Sequence, residues 1–221
     1  MNAEDGFTMA LPRGRPWLVL REWLMEAGIP GAAQVDPDAQ LLWETEHVRL
    51  LFSRPADVVT YVRQGVADMG VTGKDVLLED GDGVYELLEL PGGRWRLSLA
   101  VPQGSPPWQE MVARRGSRLR VATSYPTATT TFFEGMGVRP QILKLRGAVE
   151  LAPAVGLADC IVDMVETGGT LRAHGLVEAE VITPISLRVI SNQAAYRWRS
   201  AALCRVLQAF TRVREGEAGR A

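Results

Sequence analysis

Gly156-Leu157-Ala158-Asp159-Cys160-Ile161-Val162, continued by Asp163-Met164-Val165-Glu166-Thr167-Gly168-Gly169-Thr170-Leu171, decides how this chain is read. The apolar run Cys160-Ile161-Val162 reads as a buried strand, and a carboxylate at its end, Asp163, can hold hydroxyl groups. The turn that follows, Glu166-Thr167-Gly168-Gly169-Thr170, offers backbone amides and two hydroxyls to a phosphate, with no Cβ at either glycine to block close approach. Thr170-Leu171-Arg172-Ala173-His174 before Gly175 reads as a short helix, whose unpaired N–H groups and positive dipole end would face that anion. His174 reads as a helix-terminal residue with a structural role.

Working outward, the first half of this stretch has an echo in Gly65-Val66-Ala67-Asp68-Met69-Gly70-Val71. Each copy follows a helix, opens a strand and runs into a Thr-Gly turn, Thr72-Gly73-Lys74 in one case and Thr167-Gly168-Gly169 in the other. Matched copies predict two lobes on similar plans. Between them, β-like runs alternate with helical stretches, which predicts an α/β fold with largely parallel sheets. Phe7–Leu11, Val48–Phe52, Leu119–Ala122 and Ile142–Leu145 are predicted strands, with helices over Trp17–Ala27, from Pro55 to Arg63 and from Pro126. Turn residues Pro91-Gly92-Gly93 are expected to separate Glu86-Leu87-Leu88 from the strand Leu97–Val101. After Thr183-Pro184, the strand Leu187–Ile190 and a helix from Ala194 to Arg212 return to the first lobe. The expected division is residues 1–93 with 185–221 in lobe I and 94–184 in lobe II, with ligand bound in a cleft between lobes.

Composition narrows the classes. The chain has 221 residues, 47% hydrophobic and 23% charged, as expected of a soluble globular protein with a real core. A net charge of −2 argues against general nucleic-acid binding, so any anion site must be local. The acidic start, Met1 to Gly6, does not read as a secretory signal, and no apolar stretch is long enough to span a bilayer. Two cysteines and two histidines supply neither a disulfide framework nor a zinc cluster. A reduced, cytoplasmic compartment is expected, with no protein-held metal.

Basic residues mark the remaining candidates. Leu11-Pro12-Arg13-Gly14-Arg15 places two guanidinium groups and a glycine between the first strand and the first helix, where open α/β sheets bind ligands. Arg54 stands directly before the helix at Pro55, where a guanidinium can meet phosphate in a bidentate contact. Lys74 could bring a point charge to a polyphosphate or pair with Asp75. Glu150, in the helical reading of Ala148 to Pro153, could stabilise the helix start or act as a hydrogen-bond acceptor in the cleft.

Taken in order, these segments resemble the catalytic subunit of the ATP phosphoribosyltransferases, which open histidine biosynthesis. The resemblance rests on Leu11–Arg15, Arg54–Val58 with Tyr61-Val62, Gly65–Leu77, Arg96–Pro102, Ala122–Pro126 and, most specifically, Gly147–Leu171. It implies a two-lobed fold like that of type II periplasmic binding proteins. The implied reaction condenses ATP with 5-phosphoribosyl 1-pyrophosphate to phosphoribosyl-ATP and pyrophosphate. Carried over by position, Asp163 would hold the ribose hydroxyls. Glu166, Thr167, Gly168, Gly169 and Thr170, with Glu150, would complete the phosphoribosyl site. Arg13, Gly14 and Lys74 become candidates for the ATP and pyrophosphate phosphates, and Arg15 and Arg54 for the catalytic cations. Magnesium would arrive chelated by substrate.

The resemblance is to the short form of the family, which implies a homodimer inside a hetero-octamer with a regulatory subunit like histidyl-tRNA synthetase. Four positions depart from the family's usual residues: Arg13 for Lys, Trp95 for Cys, Ser124 for Lys, and Gln40 where an arginine often stands. The alternative from another class is a non-catalytic small-molecule-binding or nucleotide-sensing subunit of the same fold.

Overall fold

The computed structural model describes residues 6–29, 31–32, 34–45 and 48–218. Residues 1–5 of the acidic start, and residues 219–221, lie outside the described residues. In chain order the elements are β1 (Phe7–Pro12), α1 (Arg15–Glu26), β2 (Leu42–Glu44), β3 (Val48–Ser53), α2 (Pro55–Arg63), β4 (Met69–Gly73), α3 (Lys74–Asp80) and β5 (Tyr85–Pro102). There follow α4 (Trp108–Arg115), β6 (Arg120–Thr123), α5 (Pro126–Glu134), β7 (Gln141–Lys144), β8 (Cys160–Val165), α6 (Gly169–Ala173), β9 (Leu176–Ser191), α7 (Gln193–Trp198) and α8 (Ser200–Ala218). Two compact units emerge, Met1–Gly92 with Ser186–Ala221 and Gly93–Ile185, and the chain passes from one to the other within β5 and β9.

In the first unit the strand order is β2-β3-β1-β4-β9. β1 lies parallel to β3 from Phe7↔Val48 to Pro12↔Ser53 and parallel to β4 at Met9↔Met69, while β9 runs antiparallel to β4. All six residues of β1 are buried, because helices cover both faces of a central parallel strand. Met9, Leu11, Leu20, Leu24, Leu50, Met69 and Phe210 fill one core; Val58, Val59 and Val62 of α2 fill a second against Ala10 and Ile190. Three β-branched valines are poor helix formers, so burial rather than propensity holds α2. Pro55, right after Arg54, starts it at the position where a missing N–H costs nothing.

The second unit repeats the plan. β6 is central, parallel to β7 and β8, and β5 runs antiparallel to β8, giving β7-β6-β8-β5. The Gly-x-Ala-Asp echo does the same mechanical work in both. Thr8 N–H donates to Asp68 Oδ2 at 2.9 Å and Asp68 N–H returns a bond to the Thr8 carbonyl at 2.9 Å. Arg120 N–H donates to Asp159 Oδ2 at 2.9 Å, and Asp159 N–H to the Arg120 carbonyl at 2.9 Å. Each aspartate thereby clamps the strand it precedes, β4 or β8, to the central one.

Several expectations need correction. β5 and β9 run unbroken through Pro91-Gly92-Gly93 and Thr183-Pro184. These residues lie outside the β5–β8 ladder (Arg96 to Ala100) and the β4–β9 ladder (Leu187 to Ser191), so a missing N–H or an absent side chain disrupts neither. Thr72 and Gly73 finish β4 rather than forming a turn, and Lys74 begins α3 at once. Residues 148–153 form no α-helix, only a 3₁₀ turn at Val149–Leu151. The final helix is split, with Arg199 capping α7 before α8 begins. Among the described residues no helix is long and apolar enough to cross a membrane.

Candidate functional site

In the second unit, β8 extends past Val162 through Val165, so Asp163 stands within the strand rather than at its end, opposite Ser98 of β5. It is half-buried. Burial pushes its carboxyl above the usual aspartate range; the Met164 N–H opposes the shift and the Glu150 charge adds to it. The two carboxylates therefore share a neighbourhood. Glu150 reaches it from the 3₁₀ turn, whose N-terminal residue, Ala148, has φ 49°, the one non-glycine positive φ among the described residues. A left-handed alanine costs about 1–2 kcal/mol, and this one aims the turn that carries Glu150.

After β8, Glu166, Thr167 and Gly168 make the turn, and Gly168 caps α6 at φ 74°. A side chain there would be strained and would also meet Arg172 Nη1 at 3.1 Å. Gly169 N–H points to Thr167 Oγ1 at 3.4 Å, and Arg172 Nη1 donates to the Thr167 carbonyl at 3.2 Å. Thr170 begins the exposed face of α6, and His174, its C-terminal cap, places Nδ1 2.9 Å from the Thr170 carbonyl. Thr167, Gly169 and Thr170 are exposed, so one short turn rich in amides and hydroxyls lies at the surface. With α6 only five residues long, anion attraction here comes from these local dipoles rather than from a helix macrodipole.

In the first unit, three parallel strands bring the basic candidates to one sheet edge. Arg13 N–H donates to the Ser53 carbonyl at 2.9 Å, which places Arg13, Gly14 and Arg15 beside Arg54 at the C-terminal ends of β1 and β3. Gly14 caps α1 at φ 80°, a conformation that turns the chain sharply between the two arginines. Gly14, Arg15 and Arg54 are exposed and Arg13 half-buried. Lys74 stands at the end of neighbouring β4. It pairs with Glu86 at 2.6 Å, not with Asp75, and Arg188 holds the other Glu86 oxygen at 3.0 Å. Asp75 turns inward instead, its carboxyl pushed up by burial.

The sequence reading missed one group in the second unit. Arg96 of β5 donates from Nε and Nη2 to both Glu178 oxygens, at 2.5 and 2.6 Å, and from Nη1 to the Glu166 carbonyl at 2.9 Å. Ser98, fully buried, donates to Glu178 Oε1 at 2.7 Å. The fork-to-fork pair raises the Arg96 pKa and holds Glu178 below the usual glutamate range. The available signal was the polar pair Arg96 and Ser98 at strand period 2 in an otherwise apolar run. Of the four departures, Ser124 has a structural use: its hydroxyl donates to the Leu145 carbonyl at 2.9 Å, tying the ends of β6 and β7. Among the described residues no group of three or more His, Cys, Asp or Glu is arranged to hold a metal ion.

Comparison with known proteins bears on both units. The family model described as "HisG: ATP phosphoribosyltransferase" matches residues 54–214. An ATP phosphoribosyltransferase of Burkholderia thailandensis is 45% identical over 212 residues, 95% of this chain and 96% of its own. Among solved structures, the ATP phosphoribosyl transferase (HisG:HisZ) complex from Thermotoga maritima contains a chain that superposes with a TM-score of 0.78 at 32% identity, covering 96% of this chain and 98% of that one. The periplasmic aliphatic sulphonate binding protein SsuA from Escherichia coli gives 0.61 at 15% identity, covering 96% of this chain and 76% of that one; it shows that the fold is periplasmic-binding-protein-like and nothing of activity. With the family model spanning most of the chain and a relative this similar across nearly all of it, the chain belongs to the ATP phosphoribosyltransferase family.

Proposed function

We propose that this chain joins ATP to 5-phosphoribosyl 1-pyrophosphate, forming N1-(5-phosphoribosyl)-ATP and pyrophosphate, the first step of histidine biosynthesis. The observation that carries the reading is the exposed turn of amides and hydroxyls, Thr167 to Thr170, directly after a half-buried carboxylate on β8. A sugar phosphate needs that pairing: acceptors for its hydroxyls and a nest of donors for its phosphate. Adenine N1 attacks the anomeric carbon; the bond from that carbon to pyrophosphate breaks, and its electron pair leaves on oxygen. The transition state has oxocarbenium character, so aligning the reactants and stabilising the leaving charge matter most.

In this reading Asp163 accepts from the ribose hydroxyls, Glu150 supports it, and Glu166, Thr167, Gly168, Gly169 and Thr170 take the 5-phosphate. Arg13 and Gly14 meet the polyphosphates, with Lys74 joining them when it leaves Glu86. Arg15 and Arg54 stabilise charge on the departing pyrophosphate as catalytic cations. Magnesium enters as part of the substrate, chelated by pyrophosphate, and shares that charge. No general base is required, because N1 carries a lone pair.

The protein would work in the cytoplasm as a homodimer within a hetero-octamer whose second subunit resembles histidyl-tRNA synthetase; the similar chain in the HisG:HisZ complex from Thermotoga maritima supports a partner of that kind. Phosphoribosyl-ATP formation, followed with and without such a partner, tests the proposal. Turnover that is weak alone and rises with the partner is expected. Binding of phosphoribosyl pyrophosphate with no turnover in either condition would leave a binding subunit instead of an enzyme.

A further inference from the structure

We infer that Arg96, Glu178 and Ser98 form a positioning network that fixes the phosphate turn relative to Asp163. Arg96 faces Val165 and Ser98 faces Asp163 across the β5–β8 ladder. Directly opposed residues of antiparallel strands share a face, so the network and Asp163 occupy the same side of this sheet. Glu178 receives three donors, two from Arg96 and one from Ser98. That leaves Arg96 Nη1 directed at the Glu166 carbonyl, the first peptide of the turn. A carbonyl held there anchors the start of the turn, as Arg172 holds the next carbonyl, that of Thr167.

Two features separate this from an ordinary surface ion pair. The Arg96 and Glu178 side chains are only 28% and 26% exposed. The guanidinium also spends all three of its nitrogens on two fixed acceptors, which a lysine could not do from a single point. In the first unit the matching strand, β4, enters its helix with no turn, and Lys74 there faces a carboxylate rather than a backbone carbonyl. The network thus accompanies the turn and not the shared plan of the units. Arg96 touches no reacting atom in this account; it acts through Glu166.

The inference deepens the proposed function and rests on it for the ligand, but its mechanical part can be read without ligand. Arg96→Met removes the donors while keeping an apolar stem, and Arg96→Lys keeps the charge with one point of contact. Hydrogen exchange at the amides of residues 167–170 in the full-length protein should quicken about tenfold in Arg96→Met, the loss of roughly one charge-assisted hydrogen bond. Exchange at residues 72–75 should stay as in the parent, and Arg96→Lys should fall between. Phosphoribosyl pyrophosphate affinity should drop by a similar factor while the KM for ATP stays within about twofold. If Arg96→Met fails to fold, Glu178→Gln, which keeps the shape and removes the charge, should quicken the same amides by a smaller factor. Unchanged exchange at 167–170, or equal losses for both substrates, overturns the network. Quickened exchange in a protein whose parent form binds no phosphoribosyl pyrophosphate would uphold the network and refute the proposed function.

Discussion

Asp68 and Asp159 make the same reciprocal pair of backbone hydrogen bonds to the central strands of their units, yet the strands they open end in different chemistry. β4 passes from Gly73 straight into α3, while β8 is followed by Glu166, Thr167 and Gly168 before α6. The clamp is therefore a device for building the sheet, and the inserted turn is where the second unit departs from the shared plan, at the place the proposed function assigns to the phosphate. Repetition reveals the scaffold, and departure from repetition reveals where ligand chemistry sits.

Substitutions should break the comparison in a graded way. The largest effect is expected at Asp163, which has no acidic counterpart in the first unit, where Gly70 and Val71 precede Thr72. Asp163→Asn should lower kcat/KM for phosphoribosyl pyrophosphate on the order of 100-fold with ATP binding preserved; equal losses for the two substrates would contradict its assignment to the ribose. Next come the clamps. Asp159→Asn should cost about 2 kcal/mol in urea unfolding, because the carboxylate is 8% exposed and meets both Arg115 and Arg120. Asp68→Asn, more exposed and with Arg199 at 3.4 Å, should cost less than that. If neither midpoint moved, the common mechanical role would fail.

Gly168→Ala should cost about 1–2 kcal/mol through its positive φ, appearing in phosphoribosyl pyrophosphate affinity more than in fold stability. The comparison position, Gly73, has an ordinary φ of −76°, and the nearest atoms an added Cβ would meet belong to the Asp75 carboxylate. Gly73→Ala should thus trouble Asp75 and leave phosphoribosyl pyrophosphate affinity alone. The smallest change is expected from Lys74→Met: its pair with Glu86 is about one-third exposed, so stability should shift by under about 1 kcal/mol, while the KM for ATP rises.

Acid should separate the clamp from the site, since their aspartates shift in opposite directions. Burial disfavours the Asp159 carboxylate, but bonds from Arg120 and the charge of Arg115 outweigh it and hold its pKa below the usual aspartate range. Its contribution to stability is present above the unfolded pKa and is lost as pH falls through the lower folded one. Asp163 has the raised folded pKa, so it protonates first, which relieves its burial cost while removing an acceptor for ribose. As pH falls from 7 toward about 4, phosphoribosyl pyrophosphate affinity should decline before unfolding midpoints reflect the Asp159 clamp. Simultaneous decline of both in a titration would count against this order.

The scaffold was legible where local signals agree. Pro55 and the buried valines bracket α2 at the residues expected, and the apolar runs Val48 to Phe52 and Cys160 to Val162 mark β3 and β8. The echo exposed the repeated plan because Gly-x-Ala-Asp meets a mechanical need twice. Strand length was illegible at Pro91-Gly92-Gly93 and Thr183-Pro184, where turn-forming residues sit inside the long strands β5 and β9. Short-range pairing was misread as well: Lys74 reaches Glu86 rather than its neighbour Asp75. Arg96 and Glu178, 82 residues apart, could not be joined by any local pattern, since β5 and β9 become neighbours only in the folded unit.

The central claim is that the turn after β8 holds a phosphoribosyl group for transfer to ATP. Its most direct test is the formation of phosphoribosyl-ATP by the purified protein, with the proposed regulatory partner added, from ATP, magnesium and phosphoribosyl pyrophosphate. Matched release of pyrophosphate, abolished or severely reduced by Asp163→Asn, is the predicted result. No phosphoribosyl-ATP from a folded protein that assembles with its partner would contradict the account.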